Sequence, residues 1–220
     1  MKIFVHIPKT AGTSFLTVAS ANGETIFDYN SGLRSFLASD LSGYTLIKGH
    51  VPYGIGLFSG FSSPQYITFL RKPIERCISW YYFCQGVYKG RKHPNYEDAT
   101  QNDIVGFYQI KKYQNMQSKF VGGHLLLPNH RLPSKYILET AKHRLETEFW
   151  FGITEQYEQS VKFLCSKLGW ERAPIISTRH AKGRLKTEEI PDEMLQSVKE
   201  LNSLDCQLYD FAVEKFKDLT

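Results

Sequence analysis

Four short runs of β-branched and aromatic residues, Lys2 to Ile7, Tyr44 to Lys48, Tyr66 to Leu70 and Phe149 to Ile153, alternate along this chain with segments of helical periodicity. Strands separated by helices cannot close as tight hairpins. They pair in parallel, and a parallel sheet needs cover on both of its faces. The pattern therefore predicts an α/β fold in which one parallel sheet is flanked by helices on both sides. The helices read from spacing: Ile74, Cys77, Ile78, Tyr81 and Tyr82 form one apolar stripe, and Tyr157, Val161, Leu164 and Leu168 form another. Met194, Val198, Leu201, Leu204, Leu208 and Phe211 continue the same rule over one or two terminal helices, which read as core packing. Val87 to Asp103 has no periodicity and carries Lys89, Arg91, Lys92 and His93, so it reads as a mobile basic loop.

A chain of 220 residues with 42% hydrophobic content can bury the core of one domain, here residues 1–220. Such a composition excludes disordered and fibrous classes, and no apolar run approaches the ~18 residues of a membrane span. The first residues lead straight into a strand, without the charged and apolar segments of a secretory leader, which predicts a cytoplasmic protein. The four cysteines are scattered. Cys77 and Cys84 on one helix would stand about 10 Å apart along its axis, too far to bridge, so all four read as reduced thiols. A net charge of +5 is too small an excess to indicate nucleic acid and suits an anionic small ligand or an acidic polymer.

The chemistry concentrates where His6-Ile7-Pro8-Lys9-Thr10-Ala11-Gly12-Thr13-Ser14 leaves the first strand and enters a helix at Thr13 or Ser14. A strand, a Gly-containing loop and a helix N-terminus aim backbone N–H groups and the positive end of the helix dipole at one point, which suits a phosphate or sulfate. Lys9 adds a charge, and Thr13 and Ser14 add hydroxyl donors. The order differs from the nucleotide-triphosphate loop G-x-x-x-x-G-K-[ST], because this lysine precedes the glycine. No strand candidate ends in an aspartate that could help hold Mg²⁺. Arg71 sits at the end of another strand, where open α/β sheets bind ligands, and Ser79 falls off the apolar stripe of the following helix. Two anion-binding strand ends imply a ligand with two anionic groups.

These segments resemble the sulfotransferases that use 3′-phosphoadenosine 5′-phosphosulfate (PAPS), in particular the branch acting on carbohydrates such as heparan sulfate. Similar stretches continue at Asn115-Met116-Gln117-Ser118-Lys119-Phe120, at Phe151-Gly152-Ile153-Thr154-Glu155-Gln156-Tyr157, and at Leu201-Asn202-Ser203-Leu204-Asp205 with Leu208-Tyr209. The resemblance implies a P-loop-like sulfotransferase fold in which Lys9, Thr10, Ala11, Gly12, Thr13 and Ser14 hold the 5′-phosphosulfate and Arg71 and Ser79 hold the 3′-phosphate. It also implies that Arg179, Lys182 and Gly183, within the basic run Arg172 to Thr187, close over the nucleotide; the plain reading of that run is a solvated loop.

Sulfuryl transfer needs charge neutralised on the leaving oxygen and a proton taken from the acceptor hydroxyl. Lys9 suits the first task. His50, directly after the strand candidate Tyr44 to Lys48, suits the second, and the family places a catalytic histidine similarly. A histidine at a strand end also serves simply as a hydrogen-bonder, which is the reading for His6. The expected acceptor is a hydroxyl, which the resemblance places on a sugar or glycoconjugate; Tyr53, Phe58 and Phe61 read equally as platforms for a sugar ring or as core residues. Seven histidines without a close pair predict no metal site. Two other functions stay open at this stage: a P-loop-like nucleotide-dependent kinase, and a non-catalytic module that binds a polyanion or glycan.

Overall fold

The computed structural model describes residues 1–29, 32–58, 60–61, 63–88, 91–124, 132–174 and 187–219. Its strands are β1 (Lys2–Val5), β2 (Ile26–Tyr29), β3 (Leu46–Gly49), β4 (Gln65–Leu70), β5 (Val87–Tyr88), β6 (Arg91–Lys92) and β7 (Phe149–Ile153). Five of them form one parallel sheet in the order β2-β3-β1-β4-β7, and β5 and β6 make a separate antiparallel pair. The helices are α1 (Gly12–Ala21), α2 (Gly32–Leu37), α3 (Pro73–Cys84), α4 (Tyr96–Thr100), α5 (Ile104–Gln109), α6 (Met116–Val121), α7 (Ser134–Thr147), α8 (Tyr157–Leu168), α9 (Asp192–Leu201) and α10 (Ser203–Leu219).

Side-chain alternation along each strand splits the core in two. Phe4, Leu46, Ile67 and Phe69 point to the face covered by Phe15, Val18 and Ala19 of α1 and by Val161, Leu164 and Cys165 of α8. Ile3, Val5, Ile47, Phe149 and Phe151 point to the other, covered by α6, α7 and α10 through residues such as Phe120, Leu138, Leu145, Leu208 and Phe216. Each fully buried phenylalanine contributes roughly 1.5–3 kcal/mol, so burial on both faces, rather than the short ladders, holds the sheet together. A third cluster, built from α3, α5 and α9 around Cys77, Ile78, Phe107, Tyr108 and Val198, braces α3 from outside the sheet.

After β1 the chain builds β2 and β3 on one side, then crosses to build β4 and β7 on the other. That reversal opens a crevice at the carboxyl ends of β1, β3 and β4, where α/β sheets bind their ligands. His6, His50 and Arg71 are the residues that follow those three strands.

The structure departs from the sequence expectations in identifiable ways. β1 ends at Val5 because Ile7 turns its N–H back to the Val5 carbonyl at 3.1 Å, while His6 N–H makes the last bond to β3 at Gly49. β3 starts at Leu46; Tyr44 is exposed, its N–H closing a turn onto Leu41. β2, absent from the expectations, is an edge strand of four residues of which none is fully buried. The region expected to be a mobile loop from Val87 to Asp103 instead holds the β5–β6 pair and α4, pinned by the ring of His93 against Trp80 and Phe83 at 5.1 and 5.3 Å. Elements that short have no room to display a period.

Candidate active site

The loop after β1 carries two non-glycine residues in the left-handed region, Lys9 at φ 71° and Ala11 at φ 63°. Each costs on the order of 1–3 kcal/mol, a strain that folds maintain at ligand sites. The Thr10 hydroxyl, fully buried, donates to the Ile7 carbonyl at 2.9 Å and ties the loop to the strand it leaves. Helix α1 starts at Gly12, ahead of the Thr13 or Ser14 expected, and has no side-chain cap. Its first bond runs from Phe15 N–H to the Ala11 carbonyl, so the N–H groups of Gly12, Thr13 and Ser14 have no carbonyl within the helix to serve. Three donors at the positive end of a helix form a receptor for an anion.

Gly12 lies against the His6 imidazole. A β-carbon there would come within 2.1 Å of His6 Cδ2 and Nε2. The ring has little room to retreat, being stacked on Phe4 at 5.5 Å and tilted against His50 at 4.8 Å. Gly12→Ala should therefore destabilise the fold by about 1–3 kcal/mol through overpacking and weaken anion binding, both measurable by thermal unfolding with and without nucleotide. Unchanged stability and binding would mean that the ring yields freely.

His50 emerges from β3 beside this loop. Its Nδ1 lies 2.7 Å from the His6 carbonyl oxygen. A carbonyl only accepts, so Nδ1 carries the proton and the lone pair is left on Nε2. Protein packed around the still-accessible ring lowers its pKa below 6.5, with Lys48 adding to the effect and the His6 carbonyl and Asp28 opposing it. Asp28, from β2, forms an ion pair with Lys48. Burial takes His6 further, down to about 3, assisted by His50, Lys48 and Lys9. Both rings are neutral at pH 7, and His50 presents a basic nitrogen.

The Lys9 ammonium rests over the Phe83 ring, 4.4 Å from its centre. With Phe83 40% exposed, such a contact is worth about 0.5–1 kcal/mol, less than the ~1.5–3 kcal/mol of a hydrogen bond to a charged group. An incoming anion therefore outcompetes the ring for Lys9. Phe83 was missed by sequence reasoning, since only the turn of α3 brings it to the loop; His93, from beyond β6, packs against its ring. Arg71 joins from the end of β4, its guanidinium donating to the Lys9 carbonyl at 3.2 Å and pairing loosely with Glu75 at 3.6 Å and Glu155 at 4.0 Å. Ser79 is on α3, 6% exposed. The structure thus gathers Lys9, the loop to Ser14, His50 and Arg71 around one crevice, whereas Arg179, Lys182 and Gly183 lie outside the described residues. Thr187, the first described residue beyond them, donates its hydroxyl to Glu75, the partner of Arg71. Of the aromatics near His50, Tyr53 and Phe61 pack against the core, and Phe58 is exposed.

The sequence model of the sulfotransferase family matches residues 3–212, nearly the whole chain. The chain belongs to the sulfotransferase family. Among its relatives is heparan sulfate 2-O-sulfotransferase 1 of Gallus gallus, 25% identical over 256 aligned residues that take in 98% of this chain and 70% of the relative. The Homo sapiens protein of the same name is 25% identical over 252 residues, again 98% and 70% of the two chains. The heparin sulfate O-sulfotransferase of Drosophila melanogaster is 23% identical, covering 98% of this chain and 71% of its own. This sulfotransferase is accordingly a PAPS-dependent enzyme of sulfuryl transfer. Its crevice fits such a donor: three N–H groups uncommitted within α1, a glycine that lets the loop pack closely on His6, and the cations Lys9, within the loop, and Arg71, bonded to the Lys9 carbonyl. Among the described residues no cluster of His, Cys, Asp or Glu could hold a metal ion.

Proposed function

We propose that this sulfotransferase sulfates a hydroxyl of a carbohydrate or glycoconjugate, with His50 as general base. The observation that carries the reading is the hydrogen bond from His50 Nδ1 to the His6 carbonyl, which leaves Nε2 as a lone-pair acceptor beside an anion-binding loop. The relatives supply the sugar, since their names specify heparan or heparin sulfate as what they modify.

PAPS, when bound, supplies an activated sulfuryl group on a phosphate leaving group. The remaining chemistry belongs to the protein. His50 Nε2 takes the acceptor proton, and Lys9 with the N–H groups of Gly12 to Ser14 offers positive charge where the leaving oxygen becomes anionic. Thr10 and Ala11 hold the loop in the shape that aims them. Arg71 and Ser79 serve the 3′-phosphate, and Arg179, Lys182 and Gly183 are assigned to nucleotide closure by resemblance.

The test is a labelled-PAPS assay across glycans, small alcohols and tyrosyl peptides. Label should enter a sugar; label confined to a non-sugar acceptor would overturn the acceptor class. In thermal unfolding, 3′,5′-ADP should stabilise the protein selectively over ATP. Arg71→Ala should lose about 2 kcal/mol or more of 3′,5′-ADP affinity by calorimetry, the worth of a charge-assisted phosphate contact. Unchanged affinity would remove Arg71 from the 3′-phosphate.

A cytoplasmic location is proposed on a separate ground. Cys77, Cys84, Cys165 and Cys206 are all free thiols, as expected in a reducing compartment. Fractionation of the native cell with the protein in a membrane-enclosed compartment would refute it. Among the described residues no helix is long and apolar enough to cross a membrane.

A further inference from the structure

Arg71 and Lys72 occupy an awkward stretch of backbone. They lie past the last residue of β4 and before Pro73, which restricts Lys72 to an extended conformation (φ −44°, ψ 121°) and starts α3. Neither the sheet ladder nor the helix supplies their N–H partners. Gln117 of α6, 1% exposed, supplies one set: its Oε1 accepts from Arg71 N–H at 2.9 Å, and its Nε2 donates to the Arg71 carbonyl at 3.0 Å. Glu155, just beyond β7, supplies the other, accepting from Lys72 N–H at 3.0 Å.

Both clamps are themselves anchored on α10. Asp205, fully buried, accepts from the N–H groups of Gln117 at 3.1 Å and Ser118 at 2.8 Å, capping the start of α6. Tyr209, one turn further along the same face of α10, donates its hydroxyl to Glu155 at 2.8 Å. Two residues of one helix thereby fix both peptide groups around Arg71.

We propose that α10 is a positioning element for nucleotide recognition, with Gln117 (held by Asp205) and Glu155 (held by Tyr209) as positioning residues that set the Arg71 backbone so that its guanidinium meets the 3′-phosphate. The proposal rests on the reading of Arg71 as the 3′-phosphate ligand. Its physical basis is that an arginine delivers a directed hydrogen bond only if its main chain is fixed, and displacements near 1 Å at a clamp cost large factors in function. Tyr209 also restrains the Glu155 carboxylate, whose oxygen already stands 4.0 Å from Arg71 Nε; released, it would compete with the phosphate.

The experiment compares 3′,5′-ADP with adenosine 5′-phosphate, which lacks the 3′-phosphate, by calorimetry or competition. Gln117→Met and Tyr209→Phe should each weaken 3′,5′-ADP about tenfold and leave adenosine 5′-phosphate within twofold. In an Arg71→Ala background neither substitution should weaken 3′,5′-ADP further. Equal losses for both nucleotides, or losses that persist without Arg71, would reduce the network to scaffolding and overturn the proposal. If Arg71→Ala discriminates between the nucleotides while Gln117→Met and Tyr209→Phe do not, the 3′-phosphate reading stands and the positioning role falls. If Arg71→Ala fails to discriminate, both fall. Should Gln117→Met not fold, Tyr209→Phe, which removes a single oxygen, decides the matter alone.

Discussion

His50→Ala is expected to lower sulfuryl transfer by roughly 10²–10⁴-fold, the usual worth of a general base, while 3′,5′-ADP, which has neither acceptor nor sulfate, binds as before. The separation follows from the geometry: the His50 ring touches the loop through the His6 carbonyl rather than through an N–H group offered to an anion. Loss of nucleotide binding would make His50 a support for the loop, and normal turnover would move the base to another residue, with Glu75 the next candidate. The pH profile supplies a second check. A base works only when unprotonated, so activity falls as pH drops through its pKa. Because burial lowers the His50 pKa, the acidic limb of kcat/KM should lie below the ordinary histidine value of 6.5. A limb at or above that value would count against His50.

Lys9→Ala should lower turnover by at least ~10²-fold, comparable to removing a donor from an oxyanion site, with little effect on folding. The contact of the side chain with half-exposed Phe83 is a small term in the folded state. Its backbone does more, since the Lys9 carbonyl accepts from Arg71, and that bond survives the substitution. Single-turnover kinetics with saturating PAPS would isolate the chemical step; a rate near wild type there would exclude Lys9 from it.

The anion loop was legible in the sequence because everything that makes it work is local: a strand, a turn of small residues and a helix start within fourteen residues, His6 to Ser14 being contiguous. Arg71 was legible for the same reason. The network behind Arg71 was not, since its hydrogen bonds join residues 46, 54, 83, 87 and 88 positions apart and no periodicity records them. Gln117, Glu155, Asp205 and Tyr209 stood within the stretches of family resemblance, but resemblance assigned them no task. β2 escaped for a different reason: an edge strand of four residues, only partly buried, lacks the apolar weight that marked the central strands. The β5–β6 pair and α4 were hidden by brevity, their order coming from the His93, Trp80 and Phe83 rings rather than from a repeating pattern.

The histidine packed beneath Gly12 also sets a limit on the conditions the fold tolerates. His6 in the folded chain resists protonation down to about pH 3, whereas in the unfolded chain it takes up a proton near 6.5. Between those values only the unfolded state gains the proton, so native stability drains away as acidity rises, by up to about 1.4 kcal/mol per pH unit from this residue alone. Above 6.5 both states are neutral there and the effect vanishes. Calorimetric unfolding should show this loss between pH 6.5 and 5 and a smaller one in His6→Gln; equal slopes would contradict it. The crowding that keeps two imidazoles uncharged beside a lysine thus ties the working range of the enzyme to neutral surroundings.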